Sequence, residues 1–517
     1  MMRHESAPGN PPPEGAAILH DIAIIGGGIN GVGIARDAAG RGHRVALFEM
    51  NDLASATSQW STKLIHGGLR YLEHYAFRLV REALQEREVL LRIAPHLIRP
   101  LRFVLPHHAG LRPYWLIRLG LAIYDTLGGR MSLPRTRALD LTRDEAGMPL
   151  KPVYVRALEY SDAQVDDARL VIANAMSAAR HGAEIHVRAK VVGAVREKEF
   201  WRLKVEKGGA LHEVRARCLI NAAGPWVAEV LAHVTHSAQL AKVRKVQGSH
   251  IVTRRLFEHD RAYIFQNGDG RIVFAIPWQG DFTLIGTTDL DYDGPLDAIT
   301  ASQAEIEYLC SAVSEYFRQA VTPDDLVWSY AGVRPLYDDG ASAAQEATRD
   351  YVLKLDAETA PLLSVFGGKI TTYRRLAEET LEMIQPLIGE GDGERPGWTA
   401  SAPLPGGDLG LEGMEGLVSG LLQEYPWLPA HTARGLAGRH GTLARDILGK
   451  ANGMEELGVD FGHGLTAREV EHMLRHEWAT TPDDILWRRT KLGLVLDTAG
   501  QRRLEGWLKE RSMGHAA

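Results

Sequence analysis

Three glycines pose the first chemical question. Gly26, Gly28 and Gly31 form G-x-G-x-x-G, where missing side chains let the backbone turn tightly and approach a pyrophosphate at a helix N-terminus. Glu49 follows Gly31 by eighteen positions, where an acid at the end of a second strand accepts hydrogen bonds from a ribose hydroxyl pair. The glycines alone also describe an ordinary turn, and the acid in register is what makes them a dinucleotide site. The pattern does not separate FAD from NAD, because both present the same adenosine diphosphate half. Two more glycine turns, NAAGPW at 221–226 and FGGKITTY at 366–373, each follow an apolar run. The second opens a predicted helix whose N-terminus would favour negative charge on a reduced flavin ring.

These residues need a scaffold. The segment 21–49 reads as a strand (21–25), a helix (29–39) and a second strand ending at Glu49, a βαβ unit. Apolar runs at 184–191, 201–205, 218–221 and 362–366 also read as strands, so the cofactor domain is expected to be discontinuous: 21–91, 150–242 and 325–400. Strand-like stretches between 243 and 288 are divided by Asp and Gly turns and predict an antiparallel sheet. They assign 92–149 and 243–324 to a substrate domain. Beyond 400 helix signals dominate, including a capping box of Thr466 with Glu469 and a helix start at Thr481-Pro482-Asp483-Asp484, which predicts a helical domain over 401–517.

Composition excludes several classes. Apolar residues are 45% and charged residues 24% of 517, a globular balance that expects several domains. Only Cys218 and Cys310 occur, so no disulfide framework is expected and a reducing cytoplasmic setting fits. Residues 1–20 read as a flexible tail without the apolar core of a signal peptide, so export is not expected. No metal site is predicted, since the histidines lack ligand spacing with Cys or acids. The net charge of −6 argues against nucleic-acid binding.

One stretch reverses that charge. Residues 92–137 hold eight Arg against one acid, Asp125, interleaved with apolar and aromatic residues. Within it 111–124 places Pro113 at a helix start and Gly128-Gly129 beyond the end, giving a mostly apolar helix. Such a helix lies in a lipid headgroup layer or packs as a core or dimer helix.

Taken in order, STKLIHGGLRYLE (61–73), EYSDAQVDDARLV (159–171), NAAGPWV, GSHIV (248–252), IGTTD (285–289), GVRPL (332–336), TRDY (348–351), FGGKITTY and DDILWRRTK (483–491) resemble the FAD-dependent glycerol-3-phosphate dehydrogenases. The likeness runs from 21 to 507 and lies within the glycine-oxidase and D-amino-acid-oxidase type of flavoprotein. It implies an α/β fold with a Rossmann-like FAD domain, a substrate domain and a C-terminal helical domain. By motif position it implies that FAD contacts Gly26, Gly28, Gly31, Glu49, Ser61, Thr62, Lys63, Leu64, His66, Gly67, Gly68, Val191 through its backbone, Gly224, Pro225, Gly367, Gly368, Lys369, Ile370, Thr371 and Thr372.

The resemblance also implies oxidation of sn-glycerol 3-phosphate to dihydroxyacetone phosphate, with electrons passed to a membrane quinone by a peripheral protein on the inner face of the cytoplasmic membrane. Homodimer formation is a further candidate association. Flavin oxidation of a secondary alcohol needs a proton acceptor, and the phosphate needs cations. Arg334 and Arg349 are the expected phosphate ligands, with Arg70, Tyr71 and Lys369 near the reacting end. His66 is the first candidate base and His250 the alternative. Gln247 stands where some relatives carry Lys. Competing readings are an oxidase that releases hydrogen peroxide, a flavin amine oxidase and a non-catalytic flavoprotein.

Overall fold

The computed structural model describes residues 18–237, 243–338 and 350–514. Two large mixed sheets and a C-terminal domain make up the chain.

The first sheet is built on Leu19–Ile25, an apolar strand paired in parallel on both sides, with Val45–Phe48 and with Ala210–Asn221. Glu184–His186 and Leu362–Phe366 extend the parallel core outward, and three antiparallel strands, Val352–Asp356, Trp201–Lys207 and Ala189–Arg196, complete it. A strand flanked on both edges and covered on both faces must be apolar throughout, as IAII at 22–25 is. The run read as one strand over 184–191 is two, because Arg188 adopts a positive φ between them. Helix Ile29–Gly40 follows the glycine turn and packs between helices Asp167–Arg180 and Tyr373–Ile388. Eleven of its twelve residues are buried, which explains why it lacks an amphipathic pattern.

The second sheet has ten strands and lies over the cavity described below. It is not purely antiparallel: Ala262–Gln266 runs parallel to Ile98–Pro106, joining a meander of Val243–Arg254, Phe282–Gly286 and Ile272–Trp278 to the pair Ile98–Pro106 and Arg156–Val165. It also takes Leu64–Ile65 and Leu326–Tyr337, and with Arg156–Val165 these come from segments that the sequence reading grouped with the cofactor domain. Pairing partners far apart in sequence leave no local mark, so this boundary was not legible.

The C-terminal domain is mostly helical, with one small hairpin of Asp460–Gly462 and Leu465–Thr466. It docks on the cofactor domain through ion pairs, two of them buried on both sides and the one from Arg188 half-exposed. Arg489 donates to both oxygens of Asp52, Arg169 meets Glu477 at 2.5 Å, and Arg188 meets Asp484 at 2.8 Å. The expected capping box at Thr466 does not form, because Glu469 is taken by Arg439 at 2.7 Å and His440 at 2.9 Å.

Candidate active site

A cavity of about 680 Å³ opens between the two sheets. Part of its lining is a nucleotide cradle of Gly28, Ile29 and Asn30 at the start of the buried helix, with Thr57, Ser58, Ser61 and Thr62. Ser58 accepts a hydrogen bond from the Ile29 amide at 3.0 Å, and Asn30 donates to the Gly367 carbonyl at 3.1 Å, tying the two glycine turns together. The turn admits no side chain: a Cβ on Gly31 would lie 1.9 Å from the Gly26 carbonyl oxygen. The residues present therefore fit an extended dinucleotide lying across a helix N-terminus.

The rest of the cavity is chemically different. His66, Tyr71, Arg334 and Lys369 line it together with Asp289, Thr287 and Arg271. Arg334 is paired with Asp289 and reaches the Thr287 hydroxyl at 3.2 Å. The Lys369 ammonium lies 4.1 Å from the centre of the Tyr71 ring, a cation–π contact that holds the charge at the cavity wall. Leu69, Leu79, Tyr160, Ile264, Ile272 and Phe274 form an apolar face beside these cations. Low polarity there strengthens any charge interaction made inside.

Ser61, Thr62, Leu64, Gly68, Gly224, Gly367, Gly368, Ile370 and Thr371, all named from sequence, line the same cavity. Other expected contacts are not part of this lining. The Lys63 ammonium is 2.6 Å from the Gln59 carbonyl and 2.7 Å from Asp167, and its residue is buried, so it points away from the cavity. Burial lowers its pKa, an effect that Asp167 opposes. Glu49 accepts from the amides of Gly27 at 2.7 Å and Asn51 at 2.8 Å, closing the glycine turn. The Val191 side chain packs in a core cluster, which does not bear on the backbone contact expected of it, Pro225 and Thr372 are buried at helix starts, and Gly26, Gly31 and Gly67 are not among the lining residues. The side chain of Arg70 and the whole of Arg349 lie outside the described residues.

His250 is not at the wall. It is fully buried, stacked on Tyr330 with ring centres 4.7 Å apart, and its Nε2 is 3.0 Å from the Thr62 hydroxyl. Burial holds its pKa well below the ordinary imidazole range, reinforced by Arg334 and Lys63. Gln247 also points elsewhere, donating to Glu305 at 2.8 Å and to the Thr300 carbonyl at 3.1 Å.

Sequence reasoning did not name Asp289, Thr287, Arg271, Phe274, Ser58 or Trp60 as lining residues. For Asp289 and Thr287 a signal existed, since both sit in IGTTD; Arg271 has none, being one Arg after an Asp-Gly turn. Reading spacing also missed that His440, His472 and Glu477 converge within 4.8 Å of one another. Arg169 donates to Glu477 and approaches the His440 Nδ1 lone pair at 3.3 Å, so the cluster serves as an ion-pair hub between domains. Both cysteines are buried, which pushes Cys218 up to about 12 and Cys310 up to about 11 and leaves neither as a nucleophile.

Residues 21–374 match the model of the family described as FAD dependent oxidoreductase, and 398–509 match the C-terminal domain of alpha-glycerophosphate oxidase. A glycerol-3-phosphate dehydrogenase of Pseudomonas aeruginosa is 51% identical over 97% of this chain and 98% of its own. A D-erythritol 1-phosphate dehydrogenase of Brucella abortus is 48% identical over 95% of this chain and 98% of its own. The crystal structure of a glycerol-3-phosphate dehydrogenase from Bacillus halodurans, complexed with FAD, superposes with a TM-score of 0.76 at 26% identity, covering 95% of this chain and 90% of that one.

Proposed function

Because the chain belongs to the FAD-dependent oxidoreductase family and carries the alpha-glycerophosphate oxidase type of C-terminal domain, we propose that it is a dehydrogenase that oxidises sn-glycerol 3-phosphate to dihydroxyacetone phosphate. The observation that carries this reading is a single cavity in which a dinucleotide cradle runs into a wall bearing His66, Arg334 and Lys369. FAD is the cofactor, held by the glycine turns at 26–31 and 367–368 and by 57–62, and when bound it supplies the acceptor for the hydride leaving the substrate carbon.

The chain's own residues do the rest. Arg334 and Lys369 hold the phosphate, a dianion that a guanidinium and an ammonium neutralise inside a cavity with one apolar wall. Asp289, paired with Arg334, fixes the guanidinium. His66 accepts the proton of the secondary alcohol as the C–H bond breaks, for among the described residues it is the imidazole that lines the cavity. Tyr71 confines the Lys369 charge, and the apolar face excludes water from the reacting carbon. Arg349 joins the phosphate ligands, and Arg70 the reacting end, in this reading by motif alone.

The acceptor reading rests on a second surface. Helix Tyr114–Leu127 exposes Trp115, Leu119 and Ile123 at i, i+4 and i+8, with relative exposures of 66%, 51% and 38%, and Arg118 lies exposed among them. Among the described residues no helix is long and apolar enough to cross a membrane. The stripe supports peripheral attachment at the inner face of the cytoplasmic membrane and electron delivery to a membrane quinone. Self-association through the same stripe is the competing outcome, read by light scattering.

The test is anaerobic addition of sn-glycerol 3-phosphate, and separately of D-erythritol 1-phosphate, to the flavin-replete protein. Bleaching by the three-carbon substrate at lower concentration, restored by a quinone analogue faster than by oxygen, supports the proposal. Preference for the four-carbon substrate assigns the specificity of the Brucella relative instead. Faster reoxidation by oxygen with peroxide identifies an oxidase, and no bleaching sinks the reaction.

A further inference from the structure

Helix Tyr114–Leu127 has an inner face as well as an outer one. Ile117, Leu121 and Tyr124 turn inward, and Tyr124 is only 1% exposed. Its hydroxyl donates toward the Asp162 carboxylate, whose oxygens lie 2.9 and 2.8 Å away, and accepts a hydrogen bond from the backbone amide of Gly67 at 2.8 Å. Arg87 fixes Asp162 at 2.7 Å, and both are buried. Burial and the adjacent Asp162 raise the Tyr124 phenol well above its ordinary range, so it keeps the proton it donates.

The contact is built for glycine. A Cβ on Gly67 would lie 2.7 Å from the Tyr124 hydroxyl and 2.7 Å from the Leu84 side chain, so any other residue would push the backbone off the phenol. Gly67 sits between His66 and Gly68, both of which line the cavity. The Tyr124 ring also meets Tyr160 edge-on, with centres 5.9 Å apart, and Tyr160 lines the cavity too. A buried amide with one acceptor is held wherever that acceptor goes, because leaving it unbonded incurs the full cost of desolvating it. The acceptor here rides on the helix whose other face is the exposed apolar stripe.

We propose that Tyr124 is a positioning residue: through the Gly67 amide it sets the backbone of His66 to Gly68, and it couples that backbone to lipid contact at Trp115, Leu119 and Ile123. Seating the stripe in a lipid surface restrains the helix, which restrains Tyr124 and holds the imidazole where it meets substrate. This rests on the dehydrogenase and membrane-surface readings above, but its central measurement needs no substrate.

The experiment compares wild-type holoenzyme with Tyr124→Phe, with and without vesicles of mixed neutral and anionic phospholipid. Amide hydrogen exchange at Gly67 should slow when vesicles are added to the wild type, and should be at least tenfold faster in the variant whatever is added. Flavin reduction by sn-glycerol 3-phosphate should fall about tenfold in the variant, with the half-saturating concentration moving less than twofold and vesicle stimulation lost. Equal Gly67 exchange and equal reduction rates in the two proteins overturn the proposal. Should Tyr124→Phe not fold, the wild type decides alone: Gly67 exchange indifferent to vesicles overturns it. A Gly67 response in a protein that sn-glycerol 3-phosphate does not bleach would keep the Tyr124 role and discard the substrate assignment.

Discussion

The Nε2 atom of His250 lies 3.0 Å from the Thr62 hydroxyl, and it is Thr62, not His250, that lines the cavity. The two candidate bases are therefore unequal. Only His66 can meet a substrate hydroxyl directly, while His250 reaches the cavity through another side chain. Replacing His66 with Ala should lower kcat by about 10²–10⁴-fold, the range for a lost general base. His250→Asn, which keeps a hydrogen bond to Thr62, should cost about tenfold or less. Stopped-flow flavin reduction ranks them, and a larger loss at His250 would reverse the assignment.

Arg334 offers a test of phosphate binding. It is held by Asp289 and Thr287 before any ligand arrives, so its geometry is preset. Arg334→Ala removes one charge-assisted contact of about 1.5–3 kcal/mol, roughly 10–150-fold in kcat/KM. The loss should appear with sn-glycerol 3-phosphate and shrink with glycerol, which has no phosphate for Arg334 to hold. Equal losses with both compounds would assign Arg334 to the scaffold.

The C-terminal domain should loosen at low pH. Burial alone would raise Glu469, but Arg439 and His440 overcome it and hold the carboxyl down at about 2. A carboxyl depressed in the folded state contributes stability that is complete above its unfolded pKa of about 4.3 and is lost as pH falls toward the folded value. Thermal unfolding should therefore show Tm falling between pH 4.3 and 2, with a shallower slope in Glu469→Gln. A parallel slope in the variant would place the acid sensitivity elsewhere.

The exposed helix should govern vesicle binding. Burying a large apolar side chain contributes about 1.5–3 kcal/mol. Changing Trp115, Leu119 and Ile123 together to Ser should lower partition onto anionic vesicles by more than tenfold. Activity with a soluble electron acceptor in the absence of lipid should be unchanged, since none of the three lines the cavity. Sedimentation with vesicles reads the first effect; unaltered sedimentation would assign the stripe to contact between copies of the chain.

What the sequence determined by itself was local. The glycine turn, the strand before it and the helix after it were legible at 21–40 because backbone geometry and side-chain period act over a few residues. The helix at Tyr114–Leu127 was legible for the same reason, bounded by Pro113 and Gly128. Its exposure was not, because an all-round apolar pattern suits a buried helix equally well. Tertiary structure alone decided which charges face the cavity. Lys63 sits in the same motif as His66 yet turns to Asp167, 104 residues away, and Glu469 leaves Thr466 for Arg439 and His440. Gln247 is drawn to Glu305, and Tyr124 to Gly67. A polar side chain in a low-dielectric interior goes to the partner that satisfies it, and that partner is set by how distant segments pack rather than by anything in the neighbouring sequence.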